Sequence, residues 1–342
     1  MKILSIESSC DETAAALTEN GRTVLAETVY SQIQMHAEYG GVVPELASRR
    51  HIEKITQTVD HTLKESGLPR SAIEAVAVTA APGLIGALLT GLSFAKAASF
   101  ALGVPLIPVH HIRGHIAANY IAFPSLKPPF VCLVASGGHT LFVDVRDYCD
   151  MKILGSTRDD AAGEAFDKVA RILGYPYPGG KALDALARTT DSCGAFHLPS
   201  PSFADAPLDC SFSGLKTAVI NLVHTYEARG ESFDHAALAR AVSERIAAML
   251  SERLMLAAAQ CGRRQVAVCG GVAANSFLRE AVRSYAEKKG LSVCIPPLSL
   301  CGDNAAMIGC AGYYAWQHGE RAGLDLNACA TMAVSESFAS IK

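Results

Sequence analysis

The chain has 342 residues, half of them apolar and 18% charged, so it can bury a large core and is not intrinsically disordered. This length predicts two domains or one large one. The net charge of −3 provides no general attraction to nucleic acid or to an anionic membrane, although 30 Lys and Arg residues leave room for a local basic patch. The 11 cysteines form no Cys-x-x-Cys pair, and the N-terminus lacks the pattern of a secretory signal, which indicates the reducing cytoplasm.

Two segments share one order of predicted strands. KILSIESS is a short apolar run ending in small polar residues, which predicts a strand and a loop, and TAAALTENGRTVLAETV predicts two more strands. Asn20 and Gly21 favour a type I′ hairpin turn between them, because both turn positions need positive φ. The order recurs in PFVCLVASGG and HTLFVDVRDYCDMKILGST. We therefore expect two lobes of similar fold with a ligand cleft between them.

Helical patterns alternate with the strands. Apolar residues recur at helical spacing from Pro44 to Gly67 and in the long segment that ends at Gly262, and this alternation predicts an α/β fold throughout. Residues 84–102 form an apolar segment that is long enough to span a membrane. Lys96 near their middle would be costly in lipid, so we expect a buried helix of a soluble protein instead.

The stretch VHHIRGHIAANY contains three of the 11 histidines. His111 and His115 are four residues apart, so on a helix they project from one face and can share a metal ion. His110 would lie about 100° away and would not join them. Neutral imidazoles favour zinc, iron and similar ions, and LCGDNAAM offers Asp303 as a third ligand. The alternative is that these histidines only pack and form ordinary hydrogen bonds.

A metallopeptidase is one activity that the histidine pair suggests. The H-E-x-x-H signature needs a Glu after the first histidine as general base. Here the order is His-Ile-Arg-Gly-His, so the base is missing and Arg113 has the opposite charge. The pattern therefore argues against a zincin-like peptidase.

Two glycine turns follow predicted strands. In SGGHT, Gly137 and Gly138 allow backbone N–H groups to converge on an anion, although ordinary hairpins contain such turns as well. In CGGVAANSFLR, Gly270 and Gly271 precede a helix N-terminus that can face a phosphate or a nucleoside. Asn275 near that terminus is either a ligand contact or a helix cap.

Acidic residues occupy two further motifs. In DDAAGEAFDKVARILGYPYPGG, Asp160, Glu164 and Asp167 lie at helical spacing, which predicts one acidic and normally solvated helix face. The Pro-Gly-Gly turn and Asp184 beyond it make a ligand-facing loop the alternative. ESSCDET contains Asp11, which is either a base or an ordinary turn former.

Ten motifs occur in the order and spacing of one known family. They are IESSCDETAAAL, YGGVVPELASRRH, VTAAPGLIGALLTG, PVHHIRGHIAA, LVASGGHT, DDAAGEAFDKVARILG, YPGG, DCSFSGLKTA, CGGVAANSFLR and CGDNAAMIG. Together they resemble the TsaD family of tRNA N6-adenosine threonylcarbamoyltransferases, once described as O-sialoglycoprotein endopeptidases. The resemblance covers about residues 1–320 and is far more specific than any single motif.

The resemblance implies an actin/Hsp70/sugar-kinase-like fold of two ribonuclease H-like lobes with a central ligand cleft. We expect the first lobe in residues 1–120, with 300–325 packed back onto it, the second lobe in 121–299, and a loosely structured tail in 326–342. The implied activity transfers the threonylcarbamoyl group of threonylcarbamoyl-AMP to N6 of the adenosine immediately 3′ of the anticodon, in tRNAs that read codons starting with A. AMP is the other product.

The family's site positions carry over residue by residue. Its metal ligands fall on His111, His115 and Asp303, with one iron(II) per subunit as the usual assignment and zinc as a credible alternative. Its first-loop acids, which we expect to be catalytic, fall on Asp11 and Glu12. Its donor-binding positions fall on Val134, Ala135, Ser136, Gly137, Gly138, Asp167, Gly180, Asp184 and Asn275.

The resemblance also implies partners: tRNA, threonylcarbamoyl-AMP, a TsaB paralogue and the TsaE ATPase, in the cytoplasm and without a membrane. Three alternatives stay open at this point. They are a metal-dependent glycoprotein peptidase, an ATP-binding chaperone or kinase-like protein of the same fold, and a scaffold that only binds nucleotide.

Overall fold

Residues 1–338, which the computed structural model describes, fold as two units. The first unit contains Met1–Pro128, Arg146–Lys152 and the chain from Gly302 onward, and the second contains Pro129–Val145 and Ile153–Cys301. Each unit is built around one five-stranded sheet. Residues 339–342, at the end of the predicted tail, lie outside the described residues.

The sheet of the first unit combines an antiparallel meander with two parallel strands. Its strands are β1 (Lys2–Glu7), β2 (Glu12–Glu19), β3 (Thr23–Ser31), β4 (Ala75–Ala81) and β5 (Leu106–His110). The order is β3-β2-β1-β4-β5, with β4 parallel to β1 and β5 parallel to β4. Asn20 and Gly21, between β2 and β3, have φ of 51° and 74°, as the predicted hairpin turn requires.

The sheet of the second unit repeats this plan. Its strands are β6 (Phe130–Ala135), β7 (Thr140–Val145), β8 (Met151–Ser156), β9 (Gln265–Cys269) and β10 (Ser292–Cys294). The order is β10-β9-β6-β7-β8, with β7 antiparallel and β9 parallel to β6, and β10 parallel to β9. The two units therefore share one strand topology, and the predicted repetition of the meander is confirmed.

Ten α-helices connect and cover the strands in the described residues. They are α1 (Ile33–Ala37), α2 (Pro44–Ser66), α3 (Ile85–Leu102), α4 (His111–Ala122), α5 (Ala162–Ile172), α6 (Gly180–Ala187), α7 (Ser213–Arg229), α8 (His235–Gln260), α9 (Ser276–Lys289) and α10 (Ala305–Gln317). Several begin where the sequence supplies a helix-starting residue: Pro44 opens α2, and the Asp234 side chain accepts two N–H groups at the start of α8.

Each unit has its own hydrophobic core. In the first unit, Ile6 and Val78 of the central strands pack with Leu92 of α3 and Ile55 of α2. In the second unit the residues of β6 and β9 pack with those of α5, α8 and α9. Each fully buried Leu, Ile or Val side chain stabilises the fold by about 1.5–3 kcal/mol relative to an exposed one. Because the two clusters are separate, each sheet is stabilised by the core of its own unit.

Helix α3 is the predicted buried helix of residues 84–102, and it is buried on one face only. It is long and apolar enough for a membrane span by length and composition, and 33% of its residues are buried. Leu92 and Ala95 face the core, whereas Ile85, Leu89 and Phe100 are 48%, 41% and 76% exposed. The helix therefore carries an outward apolar stripe beside its core-facing side.

Gly270→Ala is expected to destabilise the second unit. Gly270 has φ of 90°, and a Cβ at this position would collide with the backbone carbonyl oxygen of Ala135. The loss should be about 1–3 kcal/mol, measured as a lower midpoint in thermal melting followed by circular dichroism. Gly271→Ala is the matched control, because its added Cβ meets no atom within 4 Å. Equal melting of the two variants would contradict this packing of the turn.

Candidate metal centre and donor-binding residues

The parallel strands of the first unit end at one edge of the sheet, and the predicted metal-binding and catalytic residues lie at these ends. β1 ends at Glu7, and Asp11 and Glu12 follow it. β5 ends at His110, and α4 begins at the next residue, His111, without a loop. Because the carboxyl ends of parallel strands meet at one edge, the first loop and the start of α4 are neighbours.

Three side chains converge at this edge. His111 and His115 lie one turn apart on α4, with ring centroids 4.6 Å apart. The Asp303 Oδ1 atom, just before α10, lies 3.1 Å from His115 Nε2 and 3.6 Å from His111 Nε2. One ligand atom from each of the three residues lies within 4.8 Å of the others. The structure thus brings the three predicted metal ligands together.

The donor set fits a transition-metal ion. His115 is fully buried, and neither of its ring nitrogens forms a hydrogen bond of normal geometry among the described residues, although Nε2 lies 3.1 Å from Asp303 Oδ1. Buried polar atoms normally form such a bond, so His115 retains an unused ligand atom beside the Asp303 carboxylate. Two imidazoles and one carboxylate are the ligands of many iron(II) and zinc sites. The cluster therefore suits these ions, without distinguishing between them.

His110 is not part of this cluster. Its Nδ1 accepts the N–H of Ile112 at 3.1 Å and so caps α4. Its Nε2 lies 3.1 Å from the carbonyl oxygen of Met332. Since Nδ1 accepts, the proton of the neutral ring is on Nε2, which donates to that carbonyl.

A buried carboxylate contacts the ring nitrogen of His111 that does not face Asp303. Glu7 has no exposed surface, and its Oε2 lies 3.0 Å from His111 Nδ1 and accepts the Thr79 hydroxyl at 2.7 Å. Its Oε1 accepts the N–H of Ser9. A carboxylate at Nδ1 leaves Nε2 to face Asp303, which is the usual way in which a metal-binding histidine is oriented. The sequence analysis missed Glu7, and its only signal was an acid at the end of a buried strand.

The charges at this edge shift two pKa values in opposite directions. Burial alone would lower the pKa of His111, but the Asp303 and Glu7 carboxylates raise it to about 9. Burial raises the pKa of Glu7, but the adjacent His111 leaves it below its usual value. In the metal-free protein, a protonated His111 therefore lies between the carboxylates of Glu7 and Asp303. A bound metal ion would replace the proton on Nε2.

The two predicted catalytic acids lie in different environments. Asp11 is 8% exposed, and Glu12 begins β2 with its Oε1 accepting the Ser31 hydroxyl at 3.0 Å. Burial and the charges of Asp11 and Asp303 raise the pKa of Glu12 to about 10. In the metal-free protein, these effects favour the neutral form of the Glu12 carboxyl group.

In the second unit, the predicted phosphate turn follows β6. The Ser136 N–H donates to the His139 carbonyl at 2.8 Å, and its hydroxyl accepts the His139 N–H at 3.1 Å. Gly137 and Gly138 are exposed, and their N–H groups donate no hydrogen bond within the described residues. Gly137 and Gly138 thus keep free N–H groups for an anion, whereas the N–H of Ser136 is already used.

Two other predicted donor-binding residues are inaccessible as side chains. Val134 and Ala135 belong to β6 and have no exposed surface. β9 runs parallel beside β6, so the Gly270 turn that leads to Asn275 leaves the sheet at the same edge as the Ser136 turn. Ala135 contributes backbone to this edge, because its carbonyl oxygen lies against Gly270.

The remaining predicted donor-binding residues form hydrogen bonds at helix N-termini. Asp167 Oδ1 accepts the N–H groups of Gly179 and Gly180 at 2.8 and 3.0 Å, where α6 begins. Burial raises the pKa of Asp167, although these two N–H groups act in the opposite direction. The structure therefore brings Asp167 and Gly180 into direct contact at one helix N-terminus.

Asp184 and Asn275 meet at the start of α9. Asp184 Oδ1 accepts the N–H and the hydroxyl of Ser276 at 3.1 and 2.8 Å. The Asn275 side chain accepts the N–H of Leu278 at 3.0 Å, so it caps the helix. Asn275 thus caps α9, which is one of the two roles that its sequence position allows. A ligand contact would be a second role of the same side chain.

The expectation of one acidic helix face was wrong. α5 begins at Ala162, so Asp160 precedes it and binds Lys168 at 2.9 Å and Lys216 at 3.2 Å. Although burial acts against it, these two ammonium groups hold the pKa of Asp160 below its usual value. Lys168 also pairs with Glu164 at 2.6 Å, so Asp160 and Glu164 share one ammonium group, whereas Asp167 accepts N–H groups at the start of α6.

Comparison with known proteins assigns the family. The model of the family "TsaD: tRNA N6-adenosine threonylcarbamoyltransferase" matches residues 23–310. The chain belongs to this family. It is 49% identical over 336 residues to the tRNA N6-adenosine threonylcarbamoyltransferase of Clostridium botulinum strain 657, covering 98% of both chains. It is 52% identical over 326 residues to that of Moorella thermoacetica, covering 95% of both. The family consists of acyltransferases, as the motifs predict.

Solved structures of distant proteins share the fold. Full-length HypF gives a TM-score of 0.59 at 15% identity, over 97% of this chain and 47% of that protein. Component A of the Acidaminococcus fermentans (R)-2-hydroxyglutaryl-CoA dehydratase gives 0.53 at 14% identity, over 93% and 98%. Together with the repeated five-stranded sheets, these matches confirm the predicted actin/Hsp70/sugar-kinase-like α/β fold.

Removing both histidines should abolish metal binding. We expect wild-type protein purified without oxygen to hold about one ion per chain, and His111→Ala with His115→Ala to hold almost none, by elemental analysis. His61→Ala is the control, because His61 is exposed on α2. Thermal melting of the metal-free proteins shows whether the double variant folds. Full metal content in a folded double variant would exclude this cluster as the metal site.

Proposed function

We propose that this chain transfers the threonylcarbamoyl group from threonylcarbamoyl-AMP to N6 of the adenosine immediately 3′ of the anticodon, in tRNAs that read codons starting with A. The observation that carries the proposal is the His111, His115 and Asp303 cluster within a chain of the threonylcarbamoyltransferase family. The adenine N6 forms a bond to the carbamoyl carbon, and the bond from that carbon to the AMP phosphate oxygen breaks. AMP leaves with the electron pair, and N6 loses one proton.

We assign one iron(II) per subunit to the cluster, with zinc as the alternative. Bound there, either ion would supply Lewis-acid polarisation and a fixed template for the carboxylate or phosphate of the donor. His111 and His115 would bind it through neutral imidazoles and Asp303 through a carboxylate. Glu7, which contacts His111 Nδ1 at 3.0 Å, would hold that ring in place.

The donor's AMP portion is assigned to the second unit. The free N–H groups of Gly137 and Gly138 suit a phosphate, because no Cβ separates it from the backbone. Asp167, Gly180, Asp184 and Asn275 are assigned to the nucleoside, with the carboxylates accepting from ribose hydroxyls or from the base. Asp167 and Asp184 are already fixed by hydrogen bonds to helix N-termini, so their free lone pairs are positioned in advance.

Asp11 is the residue that we assign to the proton of the attacking amine. In the metal-free protein, burial and the neighbouring acids raise the pKa of Glu12 to about 10, and we assign it a hydrogen-bonding role. An exocyclic adenine amine is a weak nucleophile, and positioning it beside the carbamoyl carbon accounts for much of the expected acceleration.

The decisive assay combines the metal-loaded chain with threonylcarbamoyl-AMP and unmodified tRNA, with its partners added. We expect modified adenosine in the tRNA and an equal amount of AMP. Peptide cleavage, or ATP turnover without any transfer to tRNA, would support the peptidase or the kinase-like alternative instead.

The same assay separates the two acids. Asp11→Asn should lower the transfer rate by about 100-fold or more, because the carboxylate that accepts the proton is lost. Glu12→Gln should retain most of the rate, because the amide resembles the protonated acid and keeps the oxygen that accepts from Ser31. The measurement is a single-turnover rate at pH 7. A Glu12→Gln loss as large as that of Asp11→Asn would show that Glu12 acts as a carboxylate.

We further propose that a TsaB paralogue and the TsaE ATPase assist the reaction in the cytoplasm. The outward apolar stripe of α3 supports a protein partner, since Leu89 and Phe100 are 41% and 76% exposed. Ile52 on the adjacent α2 is 66% exposed. Exposed apolar residues on one helix pair are typical of a surface that another protein covers.

Charging this stripe should prevent that association. We expect Leu89→Glu with Phe100→Glu to weaken binding of the TsaB paralogue at least about tenfold in isothermal titration, because apolar anchors dominate interfaces. Leu298→Glu is the control, since Leu298 is 66% exposed in the second unit. Unchanged binding by the double variant would place the partner on a different surface.

A further inference from the structure

Arg113 lies on α4, two residues from each of the histidines of the proposed metal site. Its side chain is buried, with 7% exposed. Nε donates to the Val334 carbonyl at 3.1 Å, and one terminal nitrogen donates to the Glu336 carbonyl at 2.8 Å. The other terminal nitrogen forms an ion pair with Glu320 at 3.2 Å. A buried guanidinium is thus satisfied mainly by residues near the end of the chain.

The Val334 and Glu336 carbonyls belong to the C-terminal segment, by which we mean residues 329–338. The segment has four further attachments to the same edge of the sheet. The Cys329 N–H donates to the Ala80 carbonyl at 2.9 Å, and the Gly83 N–H donates to Ala330 at 3.2 Å. The Met332 carbonyl accepts from His110, the cap of α4, at 3.1 Å. Phe338 packs on Ala80 and Ala81 at the end of β4.

The segment therefore contacts α4 at its cap and within its first turn, beside both histidines. Ten consecutive residues of α4, from His111 to Tyr120, are buried. A helix moves as a rigid element, so a shift of its first turn displaces both imidazoles relative to Asp303. Metal ligands must keep their positions within about 0.5 Å for tight binding.

We propose that Arg113 is a positioning residue of the metal site, through which the C-terminal segment holds α4 in the orientation that places His111 and His115 opposite Asp303. The inference rests on the metal assignment made above. Arg113 touches neither the metal ligands' nitrogen atoms nor the reacting groups, and it acts through the helix. Metal binding and docking of the segment are then linked, so each strengthens the other by the same factor.

The first test is a Co²⁺ titration of full-length metal-free protein, read from the visible d–d spectrum. Arg113→Lys can satisfy only part of the three acceptors with its single nitrogen, and we expect Co²⁺ affinity to fall about 10–100-fold. Arg253→Lys is the matched control. Arg253 is equally buried, at 6% exposed, and donates to the carbonyls of Asp209, Met249 and Pro201 in the second unit.

Both variants should melt at lower temperature, so the comparison separates positioning from general stability. A loss of Co²⁺ affinity in Arg113→Lys alone supports the proposal, whereas equal affinities, or equal losses in both variants, overturn it. Failure of the wild-type chain to bind Co²⁺ would overturn the metal assignment and this inference together. The tRNA transfer assay is read separately and reports on the proposed function.

The second test needs no variant. Hydrogen exchange of wild-type protein is measured with and without Co²⁺, at the N–H groups of Cys329 and Gly83. Linkage predicts slower exchange at both when Co²⁺ is bound, with no change at Leu278 in the second unit. Unchanged exchange at Cys329 and Gly83 under saturating Co²⁺ would overturn the proposal, even if Arg113→Lys does not fold.

Discussion

The buried charges around His111 impose the strongest physical constraint on the first unit. An isolated carboxylate without exposed surface, such as Glu7, would cost several kcal/mol if it had no partners. Glu7 is satisfied by His111, by the Thr79 hydroxyl and by the N–H of Ser9. These partners come from the loop after β1, from β4 and from the start of α4, so one buried side chain requires three separate segments of the chain to meet.

That requirement explains why α4 follows β5 without a loop. His110 ends the strand and caps the helix, and His111 is already positioned against Glu7. On the other side of the ring, Asp303 compensates the charge of His111. The C-terminal segment adds its contacts to the same helix through Arg113. The proposed metal site is thus held by residues distant in sequence, and the local helix geometry supplies only the His111 and His115 spacing.

This difference determines what the sequence could predict. The histidine pair lies on one helix, and the Asn20-Gly21 turn depends on two adjacent residues, so local rules were sufficient for both. Glu7 could not be recognised, because its contact with His111 depends on how β1, β4 and β5 are ordered in the sheet. Asp160 was misplaced because the spacing rule assumes that the helix already includes it, whereas α5 begins two residues later. The apolar composition of α3 predicted burial, but composition does not show whether both faces are covered.

The second unit uses a different way of fixing polar groups. Asp167, Asp184 and Asn275 each accept N–H groups at a helix N-terminus, which satisfies donors that would otherwise have no partner. A carboxylate has about four acceptor positions, so these bonds leave others for a ligand. Residues that cap helices and also bind a nucleoside need no reorganisation when it arrives, and less conformational entropy is lost on binding. Capping and the proposed ligand contacts are therefore compatible roles for the same side chains.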